Sequence, residues 1–379
     1  MPAAPSAERA RPYATALRIV LSPPSPNPAG YFYAIDLLRG TAALSILFWH
    51  YVHFFMVGSV AHSYDPARNP FFDQFWLFYE YGGNAVQLFW LISGFTFAAV
   101  YVGRQVRTRT FVAHRFARLY PLHFITLCVI ATLQIASMRL LGHSSIYDNN
   151  DLPHFIDQLF MTDGWGPTIR FSFNGPTWTV SVELLVYALF WYLLPRLFRL
   201  GSLFPMLIAA VSLGLSRLGP FQHILEGGFF FFQGCALFPL FLACRGWRAA
   251  MVTTVAVPFV AAMLVLAKWH AIGLASMLLL VSLVLCTAFV DLERGPPAAR
   301  RLCKWIGDNT YGVYLWHVPV QVTILIVVGT YGVSRAVFLT PAFFICYVLG
   351  MVGFARTSFL LIERPCRTFL NARLFRPEP

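Results

Sequence analysis

Apolar residues fill long blocks of this chain, and short polar breaks separate the blocks. Each block has about 17–25 residues, the length of helix that crosses the ~30 Å hydrocarbon core of a bilayer. The pattern predicts an all-α integral membrane protein, a bundle of about ten transmembrane helices. The predicted spans are residues 33–55, 81–101, 120–138, 177–195, 203–219, 226–244, 250–267, 271–290, 308–329 and 336–361.

The distribution of Lys and Arg between the breaks predicts the orientation. With the N-terminus in the cytoplasm, the inside segments carry 20 of these residues and the outside segments carry 6. Cytoplasmic segments of membrane proteins are enriched in positive charge, so both termini are expected in the cytoplasm. The predicted organisation is a flexible cytoplasmic tail over residues 1–30, a transmembrane domain over 31–365 and a cytoplasmic tail over 366–379.

Composition agrees with a membrane protein and excludes other classes. The 379 residues are 58% hydrophobic and 12% charged, about half the charged fraction of a soluble domain. The net charge of +12 is divided among short loops, which favours membrane orientation over nucleic-acid binding. The seven cysteines have no metal-ligand spacing, so neither a disulfide framework nor a metal site is expected.

Ionisable residues inside the apolar blocks are the first functional candidates, because each costs roughly 2.5–3.5 kcal/mol to insert. The first span contains Asp36, Arg39 and His50. Eleven residues along a continuous helix return to nearly the same face, ~16 Å further along its axis. Arg39 is then near the cytoplasmic end and His50 in the outer half, where an imidazole can accept a proton at neutral pH. The alternative is a snorkelling arginine and a structural histidine.

Four more residues are candidates. Glu183 in the fourth span lies at the predicted depth of His50, where a carboxylate could orient an imidazole or bind a hydroxyl. His317 lies near the midplane of the ninth span. Arg115 and Arg118 share a helical face in a basic segment and suit phosphate binding. For Glu183 and His317, a purely structural hydrogen bond remains an alternative. For the two arginines, the alternative is anchoring by the positive-inside rule.

Six fragments along the chain together resemble the motifs of the membrane acyltransferase-3 family, in the same order. They extend from the first span to the end of the last, and the resemblance leaves out only the first 30 residues. The chain departs from the family pattern at Gln87, where an acid is common. The fragments are Asp36–Gly40 with His50, Ala85–Phe95, Arg115–Pro121, Pro176–Glu183 with Tyr187, Gly307–His317 and Ile362–Pro365.

This resemblance implies a stand-alone membrane O-acyltransferase. It implies that an acyl group, by default acetyl, moves from acyl-CoA to a hydroxyl of a sugar-containing acceptor, such as a surface polysaccharide, lipopolysaccharide or oligosaccharide. The expected catalytic residues are His50, Glu183 and His317, and Arg39, Arg115 and Arg118 are expected to bind the CoA end. The expected location is the inner (plasma) membrane, with membrane lipid as surroundings and no metal. His50 would act as general base or carry the acyl group covalently.

Two other functions remain as alternatives. A transporter or flippase for a lipid-linked sugar would also need buried polar residues, but two matching halves with broken helices are not found. A transferase acting on a polyprenyl-linked sugar would use acidic residues in a loop to bind a metal, and the predicted outer segment 139–176 is rich in Asp. The same segment is expected to influence the choice of acceptor.

Overall fold

The structure is a computed structural model that describes residues 30–62, 64–290 and 295–374. It is built almost entirely from helices, which confirms the predicted all-α class. The helices are α1 Tyr33–Trp49, α2 Phe72–Tyr81, α3 Ala85–Tyr101, α4 Thr108–Leu141, α5 Leu152–Leu159, α6 Trp178–Leu197, α7 Leu203–Ser216, α8 Gln222–Cys244, α9 Arg248–Trp269, α10 Ile272–Phe289, α11 Pro297–Thr330, α12 Pro341–Ser358 and α13 Arg364–Leu374.

Short irregular elements join these helices. A two-stranded antiparallel sheet pairs β1 (Met56–Val57) with β2 (Val60–Ala61). Two 3₁₀ turns, His50–Phe55 and Gly175–Thr177, lie at helix ends, and a π-helical turn, Phe359–Glu363, joins α12 to α13. Such tight or widened turns re-aim side chains that a continuous α-helix would place elsewhere.

Within the described residues, eight helical segments are long and apolar enough to cross a membrane. They correspond to eight of the ten predicted spans. The other two predicted spans are also helical, but α1 has 17 residues and α7 has 14. Fourteen residues of α-helix cover ~21 Å, less than the hydrocarbon thickness. The multi-pass membrane fold is thus confirmed, and the count of ten crossings and the cytoplasmic termini remain predictions.

The chain divides into two compact units. The first unit comprises the described parts of residues 1–38, 87–105 and 183–304. In it, α7 packs along α8, and α9 packs along α10. The backbones of helices α3 and α8 are in direct contact at Gly94. A Cβ at this position would lie 1.8 Å from the Phe231 carbonyl oxygen, so the contact requires glycine. Small residues permit such close approach in membranes.

The second unit comprises residues 39–86, 106–182 and the described part of 305–379. Its aromatic core supports the 3₁₀ turn that follows α1. The ring of Phe54 stacks on Phe338 with centroids 4.7 Å apart, and the Tyr51 hydroxyl donates to the Phe338 carbonyl at 2.6 Å. Arg335 donates to the carbonyl oxygens of Phe54 and Met56 at 3.3 and 3.0 Å. These bonds hold the turn that carries His50.

The terminal segments were predicted to be cytoplasmic tails. The N-terminal tail falls on residues 1–29, outside the part of the chain that the structure describes. Beyond residue 365 the chain continues as α13 to Leu374. This helix packs on α4 and on the π-helical turn within the second unit. Its position on the cytoplasmic side remains a prediction.

Candidate active site

His50 lies at the junction between α1 and the 3₁₀ turn. Helix α1 runs from Tyr33 to Trp49, and Trp49 still has α-helical dihedrals of φ −56° and ψ −44°. The backbone between Arg39 and His50 is therefore helical, as the predicted placement of both residues on one helix face requires. The turn then folds His53 back, so that the two imidazole rings stack with centroids 4.6 Å apart.

The structure brings His50 and His317 together. The Nδ1 atom of His50 is 3.1 Å from Nε2 of His317. The other nitrogen of His317, Nδ1, is 2.6 Å from the carbonyl oxygen of Tyr314. A carbonyl can only accept, so Nδ1 of His317 carries a hydrogen and, in the neutral ring, Nε2 is the acceptor. His50 must then donate from Nδ1, which leaves the lone pair of its Nε2 for chemistry.

A second set of buried side chains holds the same turn. Gln321 donates from Nε2 to the carbonyl oxygen of His50 at 2.9 Å. Its Oε1 then accepts from Nδ1 of His53 at 2.9 Å. Nε2 of His53, now an acceptor, is 3.1 Å from the Tyr147 hydroxyl. Burial raises the pKa of the Tyr147 phenol, so it stays a donor. The three side chains form a polarised chain that ends at the His50 backbone.

The segment between α4 and α6 docks on α11 beside His317. Pro319 has no N–H, so the Leu315 carbonyl four residues earlier has no helical partner. The Asn174 amide fills that vacancy and donates to the Leu315 oxygen at 3.0 Å. The Tyr314 hydroxyl donates to the carbonyl oxygen of Pro176 at 2.8 Å. The helix bearing His317 is thereby tied to the segment bearing Tyr147.

Glu183 belongs to the first unit, whereas His50 and His317 belong to the second. Its Oε1 accepts from the Ser93 hydroxyl at 3.0 Å, and its Oε2 accepts from the Tyr187 hydroxyl at 2.8 Å. The predicted catalytic role of Glu183 remains a prediction.

Another carboxylate of the first unit reaches the position where the family often has an acid. Gln87 donates from Nε2 to Oε1 of Glu226 at 2.6 Å. Glu226 lies near the start of α8. Helix α8 therefore places the carboxylate of Glu226 beside Gln87, the residue that replaces the acid common in the family.

The three predicted CoA-binding arginines lie in the second unit. Arg39 is half-buried on α1. Arg115 and Arg118 are helical residues of α4, which begins at Thr108 and is longer than the predicted span. Arg118 lines a cavity of about 230 Å³ together with residues of α13 and of the preceding π-helical turn. The binding role of all three remains a prediction.

Several residues around these sites were not singled out from the sequence. His53 and Gln321 follow His50 and His317 by three and four residues, a spacing that places helical neighbours on one face. Tyr147 has no comparable signal, because its partner is 94 residues away along the chain. Among the described residues, no group of three or more His, Cys, Asp or Glu side chains is arranged to hold a metal ion.

Comparison with known proteins identifies the family. The Acyltransferase MdmB of Streptomyces mycarofaciens is 35% identical over 121 residues, 30% of this chain and 30% of that protein. The Nodulation protein 10 of Rhizobium leguminosarum bv. viciae is 25% identical over 401 aligned residues, 93% of this chain and 99% of that protein. No solved structure matches. Residues 32–356 match the family described as the Acyltransferase domain, and the chain therefore belongs to the membrane acyltransferase-3 family.

Proposed function

We propose that this protein transfers an acyl group, by default acetyl, from acyl-CoA to a hydroxyl of a sugar-containing acceptor, in the inner (plasma) membrane. The observation that carries the proposal is the hydrogen bond between His50 and His317. Through it, the Tyr314 carbonyl would set the tautomer of both rings, with the lone pair of His50 on Nε2. A general base must have that lone pair in place before the acceptor arrives.

The reaction then needs few groups. Nε2 of His50 takes the proton of the acceptor hydroxyl while the hydroxyl oxygen attacks the thioester carbonyl carbon. A C–O bond forms and the C–S bond breaks, and the departing CoA thiolate takes the proton from His50. The imidazolium formed in between is stabilised by the hydrogen bond from Nδ1 to His317. His317 touches His50 rather than a reacting atom, so we assign it a positioning role.

The same lone pair could instead attack the thioester and carry the acyl group as an acyl-imidazole. The two routes differ in one measurable reaction. In the absence of acceptor, the covalent route lets wild-type protein exchange isotopically labelled free CoA into unlabelled acyl-CoA, because acyl transfer to His50 releases CoA reversibly. Direct transfer gives no exchange without acceptor.

The donor and the acceptor rest on the family and on the named relatives. One relative is named an acyltransferase, which supports acyl transfer. Acyl-CoA as donor and a glycan or glycolipid as acceptor follow from the family resemblance. Arg39, Arg115 and Arg118 would bind the CoA end, and Glu183 would bind an acceptor hydroxyl.

The test uses purified protein in nanodiscs with radiolabelled acetyl-CoA and a glycan extract. We expect His50→Ala to lower kcat by about 10²–10⁴-fold, the usual contribution of a general base. His317→Ala should lower kcat with little change in KM for acetyl-CoA, since it acts through His50. His317→Gln should restore part of the rate, because its amide oxygen can accept from Nδ1 of His50.

The matched control is His62→Ala, since the His62 side chain is exposed and its hydrogen bond within the described residues is from the backbone N–H to the Phe55 carbonyl oxygen. This variant should keep wild-type activity. Full activity in His50→Ala would exclude the proposed role. The transporter alternative would be favoured if wild-type protein binds no CoA and transfers no label, but moves a lipid-linked sugar across the membrane of a vesicle.

A further inference from the structure

His53 stacks on the candidate base. Its ring lies nearly parallel to that of His50, with the planes 24° apart and the centroids 4.6 Å apart. The 3₁₀ turn at His50–Phe55 brings the two rings together, because side chains three residues apart eclipse each other in this kind of helix. An α-helix would instead offset them by about 60° around its axis. The tight turn therefore covers one face of His50 with a second, buried imidazole.

Both nitrogens of His53 are used in a way that suits the neutral ring. Gln321 donates from Nε2 to the His50 carbonyl oxygen at 2.9 Å, so its Oε1 is the atom that accepts from Nδ1 of His53 at 2.9 Å. Nε2 of His53 then has a lone pair, and the Tyr147 hydroxyl lies 3.1 Å away to donate to it. A charged imidazole must donate from both nitrogens. Protonation of His53 would therefore break the bond that Tyr147 donates.

The segment carrying Tyr147 holds this hydroxyl in place. Ile146, immediately before it, has φ 71°, and Phe173 has φ 36°. Left-handed backbone is rare for residues other than glycine, and strained residues persist where the surrounding structure over-determines them. Asn150 joins the two strained positions, since its Nδ2 donates to the Tyr147 carbonyl at 2.6 Å and its Oδ1 accepts from the Phe173 N–H at 2.7 Å. The donor to His53 is thus part of a fixed backbone arrangement.

The surroundings of His53 add little charge. The side chains that act on its ring are those of Gln321 and His317. Asp148 accepts from a backbone N–H in the turn between β1 and β2 at 2.9 Å, and Arg335 binds carbonyl oxygens of the 3₁₀ turn and of β1. Two phenols, which are neutral near pH 7, also pack around the turn. They are Tyr51 and Tyr347. The protonation of the stacked rings therefore depends on the histidines and their hydrogen bonds.

We propose that His53 is a positioning residue that acts through His50. Tyr147 and Gln321 keep its ring neutral, and the neutral ring stabilises the imidazolium that forms on His50 during acyl transfer. This inference rests on the proposed function. A neutral aromatic ring attracts a cation over its face, whereas a second imidazolium at 4.6 Å would repel it. The role of the Tyr147 hydroxyl is then to stop His53 from competing with His50 for the proton.

Two substitutions at His53 test the stacking. His53→Phe keeps an aromatic face against His50, whereas His53→Leu does not. Both lose the bonds to Gln321 and Tyr147, so the difference between them reports the ring face. In the nanodisc transfer assay we expect His53→Leu to have a kcat about 2–10-fold below that of His53→Phe, with similar KM for acetyl-CoA. Equal kcat values in the two variants, with folding checked by thermal unfolding, would overturn the stacking role.

The pH profile of Tyr147→Phe tests the neutral state. Without the hydroxyl, nothing donates to Nε2 of His53, so His53 takes up a proton more readily as the pH falls, and its charge opposes the one on His50. The ratio of variant to wild-type kcat/KM should therefore decrease from about pH 8 to about pH 5.5. Tyr331→Phe, at an exposed tyrosine, should match wild type throughout. A purely structural role for Tyr147 gives a ratio that does not change with pH, and that result would overturn the proposal.

Imidazole ¹⁵N spectra of histidine-labelled protein in nanodiscs need no turnover. The signals of His53 are those that His53→Phe removes. In wild type we expect a hydrogen on Nδ1 and a lone pair on Nε2 over the same pH range, and in Tyr147→Phe we expect Nε2 to titrate. A charged His53 in wild type at neutral pH would overturn the proposal. If the ring is neutral but wild-type protein transfers no acyl group, the acyl-transfer proposal fails and the neutral state of His53 stands.

Discussion

At the residue scale, a backbone oxygen orients the pair of candidate histidines. The Tyr314 carbonyl requires a hydrogen on Nδ1 of His317, which makes His317 Nε2 an acceptor and His50 Nδ1 a donor. In many hydrolases a carboxylate has this orienting role for a histidine. In the proposed mechanism a neutral imidazole would take this role, so no buried charge would have to be balanced next to the proposed base.

The sequence singled out His50 and His317 because ionisable residues are rare in apolar spans. It could not show that they touch, since they are 267 residues apart along the chain. Gln321 was not predicted as a site residue, because an amide in an apolar span can form many kinds of structural hydrogen bond. Its role depends on a bond to the His50 carbonyl, and such tertiary contacts do not follow from helical periodicity.

Asp163 supplies a prediction about pH at the same scale. It lies outside the candidate spans, and burial raises the pKa of its carboxyl to about 7. Its Oδ2 accepts from the Thr177 hydroxyl at 2.8 Å, whereas Oδ1 is buried with no partner among the described residues. The folded state therefore keeps a proton that the unfolded state releases near pH 4, so stability should fall as pH rises from about 4 to 7.

Asp163→Asn should reduce this pH dependence, by up to a few kcal/mol across the window, because the amide is neutral throughout. Thermal unfolding in nanodiscs from pH 4 to 8 provides the measurement. The matched control is Asp73→Asn, at an exposed carboxyl of α2, and it should keep the wild-type slope. An identical slope in Asp163→Asn would contradict the prediction.

At the scale of elements, the departures from regular helix matter most. Hydropathy predicted the apolar helices well, because burial in lipid selects long apolar runs. It did not predict the 3₁₀ turn after α1, the short helix α5 or the π-helical turn before α13. Each of these depends on tertiary partners, such as the Phe338 carbonyl that anchors Tyr51. The 3₁₀ turn contains His50, the proposed base.

Gly175 tests the coupling between the segment after α5 and the active site. A Cβ at this position would lie 2.5 Å from a ring carbon of Tyr147 and 2.9 Å from its hydroxyl. Gly175→Ala should displace the ring and break its bond to His53, lowering kcat about tenfold, the worth of one buried hydrogen bond. Tyr147→Phe, which removes only the hydroxyl, should have a similar effect.

The acyl-transfer assay with purified variants measures this effect. Gly166→Ala is the control in the same segment, because its Cβ would meet only the Thr168 oxygen at 3.5 Å, an ordinary contact. Wild-type kcat in both Gly175→Ala and Tyr147→Phe would show that the Tyr147–His53 bond has no part in ordering His50.

At the scale of the whole molecule, the sequence predicts sidedness through charge. The 20 to 6 division of Lys and Arg predicts the orientation, whereas the predicted number of crossings depends on helices of marginal length. Helix α7 is the least certain crossing. Its 14 residues form a helix shorter than the hydrocarbon thickness, so a crossing requires local thinning of the bilayer or snorkelling of flanking residues.

Cysteine labelling of intact cells by a membrane-impermeant maleimide tests this topology in a cysteine-free background. Leu152→Cys and Leu218→Cys should be labelled from outside, and Arg301→Cys should react only after permeabilisation. All three positions are exposed in the structure. Labelling of Arg301→Cys in intact cells would reverse the orientation. Protection of Leu218→Cys alone would mean that α7 does not cross.

The bond between Asn174 and the Leu315 carbonyl has a consequence for biogenesis. Its two residues are 141 positions apart, and a ribosome adds residues at about 5–20 per second. The segment carrying Tyr147 therefore leaves the ribosome many seconds before the helix that receives it. His50 is made earlier still, and its partner His317 is not in place until α11 has been inserted. If His50 is the proposed base, the nascent protein would therefore be inactive through most of its synthesis, and its candidate active site would be completed late in membrane insertion.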